Sequence, residues 1–346
     1  VNVDLTTYQW HLNNTGQSAF ASTAGTANKD INHNGTNKGD GITVAIIDTG
    51  LEIYHEDLSS NVVSGDSWDF ECSDNNPTNI NSTSGDHGTS VAGLVAAADN
   101  DKGGRGVAPE SELKGFNFLQ DATIQNYIDS IGGSTSSPKS SDVDIFNLSF
   151  GFTNTSDFAV DTTIEEQFKY GINNVRNGKG AIYVKSAGNG FKSFGNATCS
   201  FATAINVSCQ NANMDPESAL PYIIVVGATN AEGEKSSYSN AGSNLLISAP
   251  GGEYGYDSGV TGVGYTAETY EPAMITTDQM GCGRGYSNTV DEAVNELQDN
   301  SNNLNPNCDY TSTFNGTSSA APVLSGAIAL MLNKNSALTW RDVRHI

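Results

Sequence analysis

Hydrophobic and β-branched residues gather along this chain in short runs with little alternation: Ile42 to Ile47, Val143 to Leu148, Ala181 to Val184 and Ile223 to Val226. Apolar runs of that length predict strands buried on both faces, the mark of a parallel sheet. Between them the spacing predicts helices over Thr89–Ala98, Ile124–Ile131, Thr163–Asn177 and Ser319–Leu332, the last with Pro322 near its start. Strands alternating with helices imply an α/β fold, a mostly parallel sheet with helices on both faces. Gly-, Asn- and Ser-rich stretches, notably residues 64–86 and 251–312, read as loops. No internal repeat and no linker divides the chain, so residues 1–346 read as one domain.

Charge narrows the function classes. The formal net charge is −23, from 16 basic and 39 acidic residues. Nucleic acid and anionic membrane surfaces would be repelled, and basic substrates attracted. Charged residues are only 16% of the chain, against roughly 25% in an average globular protein, while Gly alone reaches 37. An uncharged polar surface with many tight turns is common in secreted hydrolases and rarer in cytosolic enzymes. No segment approaches the roughly 18 apolar residues of a membrane span, and no basic start followed by an apolar run marks a signal peptide. The chain begins with Val1 and stops at Ile346 straight after an amphipathic stretch. Processing before it and further sequence after it are both expected. The five cysteines show no CxxC metal spacing. Local bridges Cys199–Cys209 and Cys282–Cys308 are expected for a secreted chain and leave Cys72 without a partner.

Three motifs carry candidate chemistry. Asp48 ends the run Ile42 to Ile47, where functional groups of α/β sheets sit, although an Asp before Thr49-Gly50 is also a good turn former. His87 opens Asp86-His87-Gly88-Thr89-Ser90-Val91-Ala92-Gly93, a small-residue helix that can approach another backbone closely. Ser318 lies in Asn315-Gly316-Thr317-Ser318-Ser319-Ala320-Ala321-Pro322. There it is either an N-cap or a nucleophile beside helix N–H groups that stabilise an oxyanion. A serine is a poor nucleophile unless an imidazole takes its proton and a carboxylate fixes that imidazole's tautomer. The three residue types together therefore mean more than each alone.

These three motifs, in Asp, His, Ser order, resemble those of the subtilisin-like serine proteases, and with them come the expectations of a subtilisin-like three-layer α/β fold and peptide-bond hydrolysis. A lipase-type serine hydrolase would show Gly-x-Ser-x-Gly and the order Ser, acid, His. Here the second Gly is missing and the order is reversed. Asn189, in Ser186-Ala187-Gly188-Asn189-Gly190, matches the turn that holds the family's oxyanion-hole amide, while Asn-Gly also favours a left-handed turn.

Trp68-Asp69-Phe70, Gly180 to Val184 and Leu338-Thr339-Trp340-Arg341-Asp342-Val343 resemble the kexin and furin branch. That resemblance implies cleavage after Lys or Arg, often paired, and a β-rich domain after the catalytic one. It also implies a substrate-binding strand at Asn147-Leu148-Ser149-Phe150-Gly151, of which Ser149, Phe150 and Gly151 would meet the substrate by backbone pairing. Asp215, in Met214-Asp215-Pro216-Glu217, resembles the carboxylate at the floor of the specificity pocket. Two departures stand out: Phe152-Thr153-Asn154-Thr155-Ser156 precedes Asp157 where the branch has an Asp pair, and segment 199–209 lengthens a loop.

The resemblance further implies Ca²⁺, held by Asp4, Asp57 and Asp101, with a second site at Glu253, in a chain whose oxygen-rich composition suits that hard cation. Polypeptide substrates that are basic at the cleavage site are the expected partners, with a folding chaperone or inhibitory propeptide besides. The rival from another class is a binding protein on an inactive protease scaffold.

Overall fold

The computed structural model describes residues 3–346 except 32, 34, 81–85, 153–158, 192–199, 206, 209, 256–270, 288–296 and 298–302. The first apolar run forms β1 (Thr43–Ile47), and helix α1 (His87–Ala96) follows after a long connection. Next come β2 (Glu112–Phe116), α2 (Ile124–Ile128), β3 (Ile145–Leu148), α3 (Thr162–Asn174), β4 (Ile182–Ser186) and the short α4 (Ser200–Ala204). Strands β5 (Ile223–Thr229), β6 (Leu245–Pro250), β7 (Met274–Thr277) and β8 (Tyr310–Phe314) precede α5 (Thr317–Lys334) and α6 (Trp340–His345).

Six strands form one parallel sheet in the order β2-β1-β3-β4-β5-β6, and β7 pairs antiparallel with β8 in a separate ribbon. Alternate side chains of each strand feed two cores, which is why the apolar runs are continuous. From β1, Val44 and Ile46 join Val91, Leu94, Val323 and Ile328 of α1 and α5. Ala45 and Ile47 face the other way, with Phe146, Phe168 of α3 and Tyr183. Burial of one such large apolar side chain contributes roughly 1.5–3 kcal/mol. The sheet is therefore gripped from both sides in three layers.

Several boundaries differ from the sequence expectations. Strand β2 went unread because Glu112 and Lys114 interrupt it. Lys114 is nonetheless buried, its ammonium 2.9 Å from Asp66 and 2.8 Å from Asp142, carboxylates remote in sequence. Strand β6 is a sheet edge with Leu246 and Ile247 exposed, β7 lies within residues expected to be loop, and β8 begins there. The helix expected over Ile124–Ile131 is regular only to Ile128 and continues as a wider turn to Gly133. Helix α3 stops at Asn174, before Arg176 and Asn177 turn left-handed at φ 56° and 54°. The Cys282–Cys308 bridge is formed, and among the described residues Cys72 is free and exposed. Cys199 and Cys209 lie outside the described residues. Among the described residues no helix is long and apolar enough to cross a membrane.

Candidate active site

From β1 the chain turns first to β2 on one side and then to β3 on the other, so the crevice at the carboxyl ends of β1 and β3 is the topological switch where ligands of open sheets bind. Asp48 follows β1 there and is fully buried. Its Oδ1 accepts from the Thr49 amide at 2.7 Å, and its two oxygens lie 2.8 and 3.0 Å from Nδ1 of His87, the first residue of α1. That contact places the ring proton on Nδ1 and leaves the Nε2 lone pair as the base. Burial pulls the imidazole toward neutrality, but the charge of Asp48 and its hydrogen bond, aided by Asp86, outweigh it and raise the pKa of His87 above its ordinary value. Phe314 of β8 meets the ring edge-on at 5.2 Å between centroids.

A second buried carboxylate supports the pair. Asp86 accepts from Thr49 Oγ1 at 2.7 Å, and that same oxygen receives the Gly88 amide at 3.2 Å. Burial, with the charge of Asp48 adding to it, pushes Asp86 up to about 6. Gly88 permits this closeness: a Cβ there would stand 1.9 Å from the Gly50 carbonyl oxygen and 2.9 Å from the Asp48 Cβ.

Ser318 lies in the first turn of α5, a helix that packs against α1. Gly316, at φ 99°, turns the chain into that helix, and a side chain on it would stand 3.0 Å from the Asn189 amide nitrogen. The Ser318 hydroxyl donates to the Ser149 carbonyl at 3.1 Å, and Ser149 Oγ donates back to the Ser318 carbonyl at 3.0 Å. Serine and the β3 edge are thereby held together, with the hydroxyl turned to the edge and not to His87. Asn189 follows β4; its Oδ1 accepts from both the amide and Oγ1 of Thr317, each at 2.8 Å. The opposite end of that amide, the Nδ2 donor, is left to face outward beside Gly316. Asn240 staples the turn, receiving the Gly190 amide at 3.0 Å and donating its own amide to the Gly188 carbonyl at 2.9 Å.

A pocket of about 260 Å³ opens beside Ser318, lined among others by Ser149, Phe150, Gly151, Asn189 and Asp215. Asp215, expected at the floor of the specificity pocket, is on the wall of this one and is also engaged by the protein: Oδ1 accepts from the amides of Glu217 and Ser218, Oδ2 accepts from the Phe152 amide, and Lys185 Nζ stands 3.6 Å away. Lys185 and Glu217 were not foreseen. A Lys closing the apolar run Ile182 to Val184 was their only signal. Asp157 lies outside the described residues.

The expected calcium residues are only partly gathered. Asp57 is buried, and among the described residues neither of its oxygens has a hydrogen-bond partner of ordinary geometry. Burial foremost pushes its pKa up to about 8, although Asn100 and Lys102 nearby ease its charge. Such an orphaned carboxylate fits a cation ligand. Asp4 lies on the same side through its bridge to Gly103, but is exposed, with Oδ1 receiving the amide and hydroxyl of Thr6. Asp101 is exposed on that loop at φ 61°. Glu253 is buried, and its two oxygens accept from the amide and hydroxyl of Ser237 at 2.6 and 2.8 Å. Among the described residues no three His, Cys, Asp or Glu side chains are grouped so as to hold a metal ion.

The subtilase family profile matches residues 39–346. The chain belongs to the subtilase family of serine proteases. This subtilase is 38% identical over 98% of its length to the Aeromonas extracellular serine protease of Aeromonas sobria, covering 53% of that protein. It is 30% identical over its whole length to neuroendocrine convertase 2 of Bos taurus, covering 46%. It thus spans about half the length of the curated relatives it matches. The crystal structure of the Aeromonas sobria serine protease with its chaperone superposes with a TM-score of 0.85, at 36% identity, over 99% of this chain and 56% of that one. A cold-adapted subtilisin-like serine proteinase, at 21% identity and a TM-score of 0.55 over 91% of this chain and 84% of that one, shares the fold.

Proposed function

We propose that this chain is the catalytic part of a secreted serine endopeptidase. The observation that carries the reading is the Asp48–His87 contact at 2.8 Å at the end of β1, next to β3, at whose end Ser149 is hydrogen-bonded to Ser318. Ser318 turns from the Ser149 carbonyl, gives its proton to His87 Nε2 and attacks the scissile carbonyl. Asp48 holds the imidazolium so formed. The oxyanion accepts from Asn189 Nδ2 and from the Ser318 amide, a free donor of the first turn of α5. His87 then protonates the departing amine, and water repeats the sequence to release the acyl group. An extended substrate pairs with the backbone of Ser149, Phe150 and Gly151.

The residue before the cut is Lys or Arg in this reading. Its support is Asp215 on the pocket wall, the net charge of −23, and the likeness to a convertase. Calcium is held by Asp57, with Asp4 and Asp101 from the loop beside it, and neutralises a carboxylate that is otherwise buried alone. Because Glu253 is already engaged by Ser237, the second calcium site has weaker support. Secretion accords with the name of the Aeromonas relative and with the Cys282–Cys308 bridge. A chaperone or inhibitory propeptide assists folding, by analogy with the relative solved with its chaperone.

Cleavage of a diverse peptide library, read as new termini by mass spectrometry, tests this reading against a Ser318→Ala control. Turnover in that variant should fall on the order of 10⁶-fold, the scale known for this triad in subtilisin, of the same family. Full activity in the variant would end the proposal. Cuts after large apolar residues would keep the protease and discard the basic pocket.

A further inference from the structure

The pocket wall hides a buried cation. Lys185, at the carboxyl end of β4, is 0% exposed, yet it is absent from the pocket surface that Asp215 lines. Its ammonium donates to the Phe150 carbonyl at 3.0 Å and to Glu217 Oε2 at 3.0 Å, and stands 3.6 Å from Asp215 Oδ2. Two of the three protons an ammonium can donate are thus placed in hydrogen bonds, and Asp215 is reached only as an ion pair at longer range. Glu217 is itself buried behind the wall and takes a further hydrogen bond from the Tyr127 hydroxyl at 2.8 Å. Burial alone would drive Lys185 to lose its proton, but Glu217, and next Asp215, more than offset this and raise its pKa.

The charges decide what a substrate meets. One ammonium and two carboxylates leave one negative charge in the cluster. The shorter contact, 3.0 Å against 3.6 Å, assigns Lys185 to Glu217. We propose that Glu217 is a specificity-setting positioning residue: by engaging Lys185 behind the wall, it leaves the charge of Asp215 to the pocket. Without Glu217, Asp215 is the one anion left to Lys185 among the described residues, and the wall becomes neutral. Which side chain the pocket accepts is therefore set by a pair that no substrate touches. This rests on the reading of Asp215 as the specificity carboxylate.

The test compares kcat/KM for peptides that differ only in having arginine or norleucine before the scissile bond. In Glu217→Gln the arginine-to-norleucine ratio should fall by about tenfold or more, since a charge-assisted contact of about 1.4 kcal/mol or greater is lost. Lys185→Met/Glu217→Gln, which removes both charges of the hidden pair, should restore the ratio toward wild type. A loosened pocket would lower both substrates together and would not be rescued. An unchanged ratio in Glu217→Gln, or a fall that the double variant does not reverse, overturns the proposal. Should the single variant fail to fold, the double variant decides: a wild-type ratio supports the pair and a collapsed one refutes it. A wild-type ratio near one would sink the basic-residue reading instead, because the present inference is read from the change between variants.

Discussion

Thr317 grips one end of the Asn189 amide with two donors, its own N–H and its hydroxyl, each 2.8 Å from Oδ1. Two donors on the oxygen fix which end of the amide faces the crevice. The Thr317 hydroxyl also receives the Gly188 amide at 3.0 Å, so a single side chain orders the whole turn. Thr317→Val keeps the backbone donor and loses the rest. We expect kcat to drop by about tenfold with KM nearly unchanged, because the donor acts on charge that develops only in the transition state. Asn189→Ala should cost about 10²–10³, the range found for the equivalent change in subtilisin, a relative in this family. Steady-state kinetics on one peptide substrate decides; losses appearing in KM would contradict an oxyanion role.

The raised pKa of His87 makes a pH prediction whose sign can be worked out. Catalysis needs the neutral ring, so the acid limb of kcat/KM should have its midpoint above the ordinary imidazole value of 6.5. Asp48→Asn should draw that midpoint back toward the ordinary value while lowering kcat on the order of 10⁴. Stability runs the other way. The folded state prefers the protonated ring, so this contribution is complete below 6.5 and fades as pH climbs through the raised value. A pH–rate profile with an acid limb below 6.5 would show that burial, not Asp48, governs the ring.

Gly88→Ala tests whether the approach of α1 to β1 sets the Asp48–His87 distance. The added methyl would stand 1.9 Å from the Gly50 carbonyl oxygen, which only a shift of backbone can relieve. Overpacking of this kind costs about 1–3 kcal/mol. We expect a folded protein with a lower Tm and a kcat reduced far more than the stability change explains, since the imidazole moves with its helix. A variant with normal kcat would show that the triad tolerates the displacement.

How much of this was legible in the sequence depends on what holds each residue in place. The cores of β1, β3, β4 and β5 could be read because strands covered on both faces have continuous apolar sequences. Asp48, His87 and Ser318 could be read because each sits at an element end beside glycine, where close backbone contact leaves a local trace. Strand β2 and the pair Lys185–Glu217 could not. A lysine in a strand looks like an exposed position until its counterions are known. Those of Lys114 are Asp66 and Asp142, and those of Lys185 lie at positions 215 and 217. The engagement of Asp215 was hidden for the same reason, since Phe152 and Lys185 are brought to it only by folding.

Asp57 carries the last prediction. Among the described residues neither of its buried oxygens has a hydrogen-bond partner of ordinary geometry, the loop with Asn100 and Lys102 lies beside them, and a poorly compensated buried charge is costly. A bound Ca²⁺ would remove that cost, and ligand at a hundred times its Kd would add about 2.7 kcal/mol of stability. Wild-type protein should therefore melt at a distinctly higher Tm in calcium than in a chelator. Asp57→Asn has no charge to bury, so in chelator it should be at least as stable as wild type, and calcium should no longer raise its Tm. The two curves separate the possible roles: a variant that keeps its calcium response places the cation elsewhere, while a variant destabilised equally with and without calcium makes Asp57 a structural residue and not a ligand.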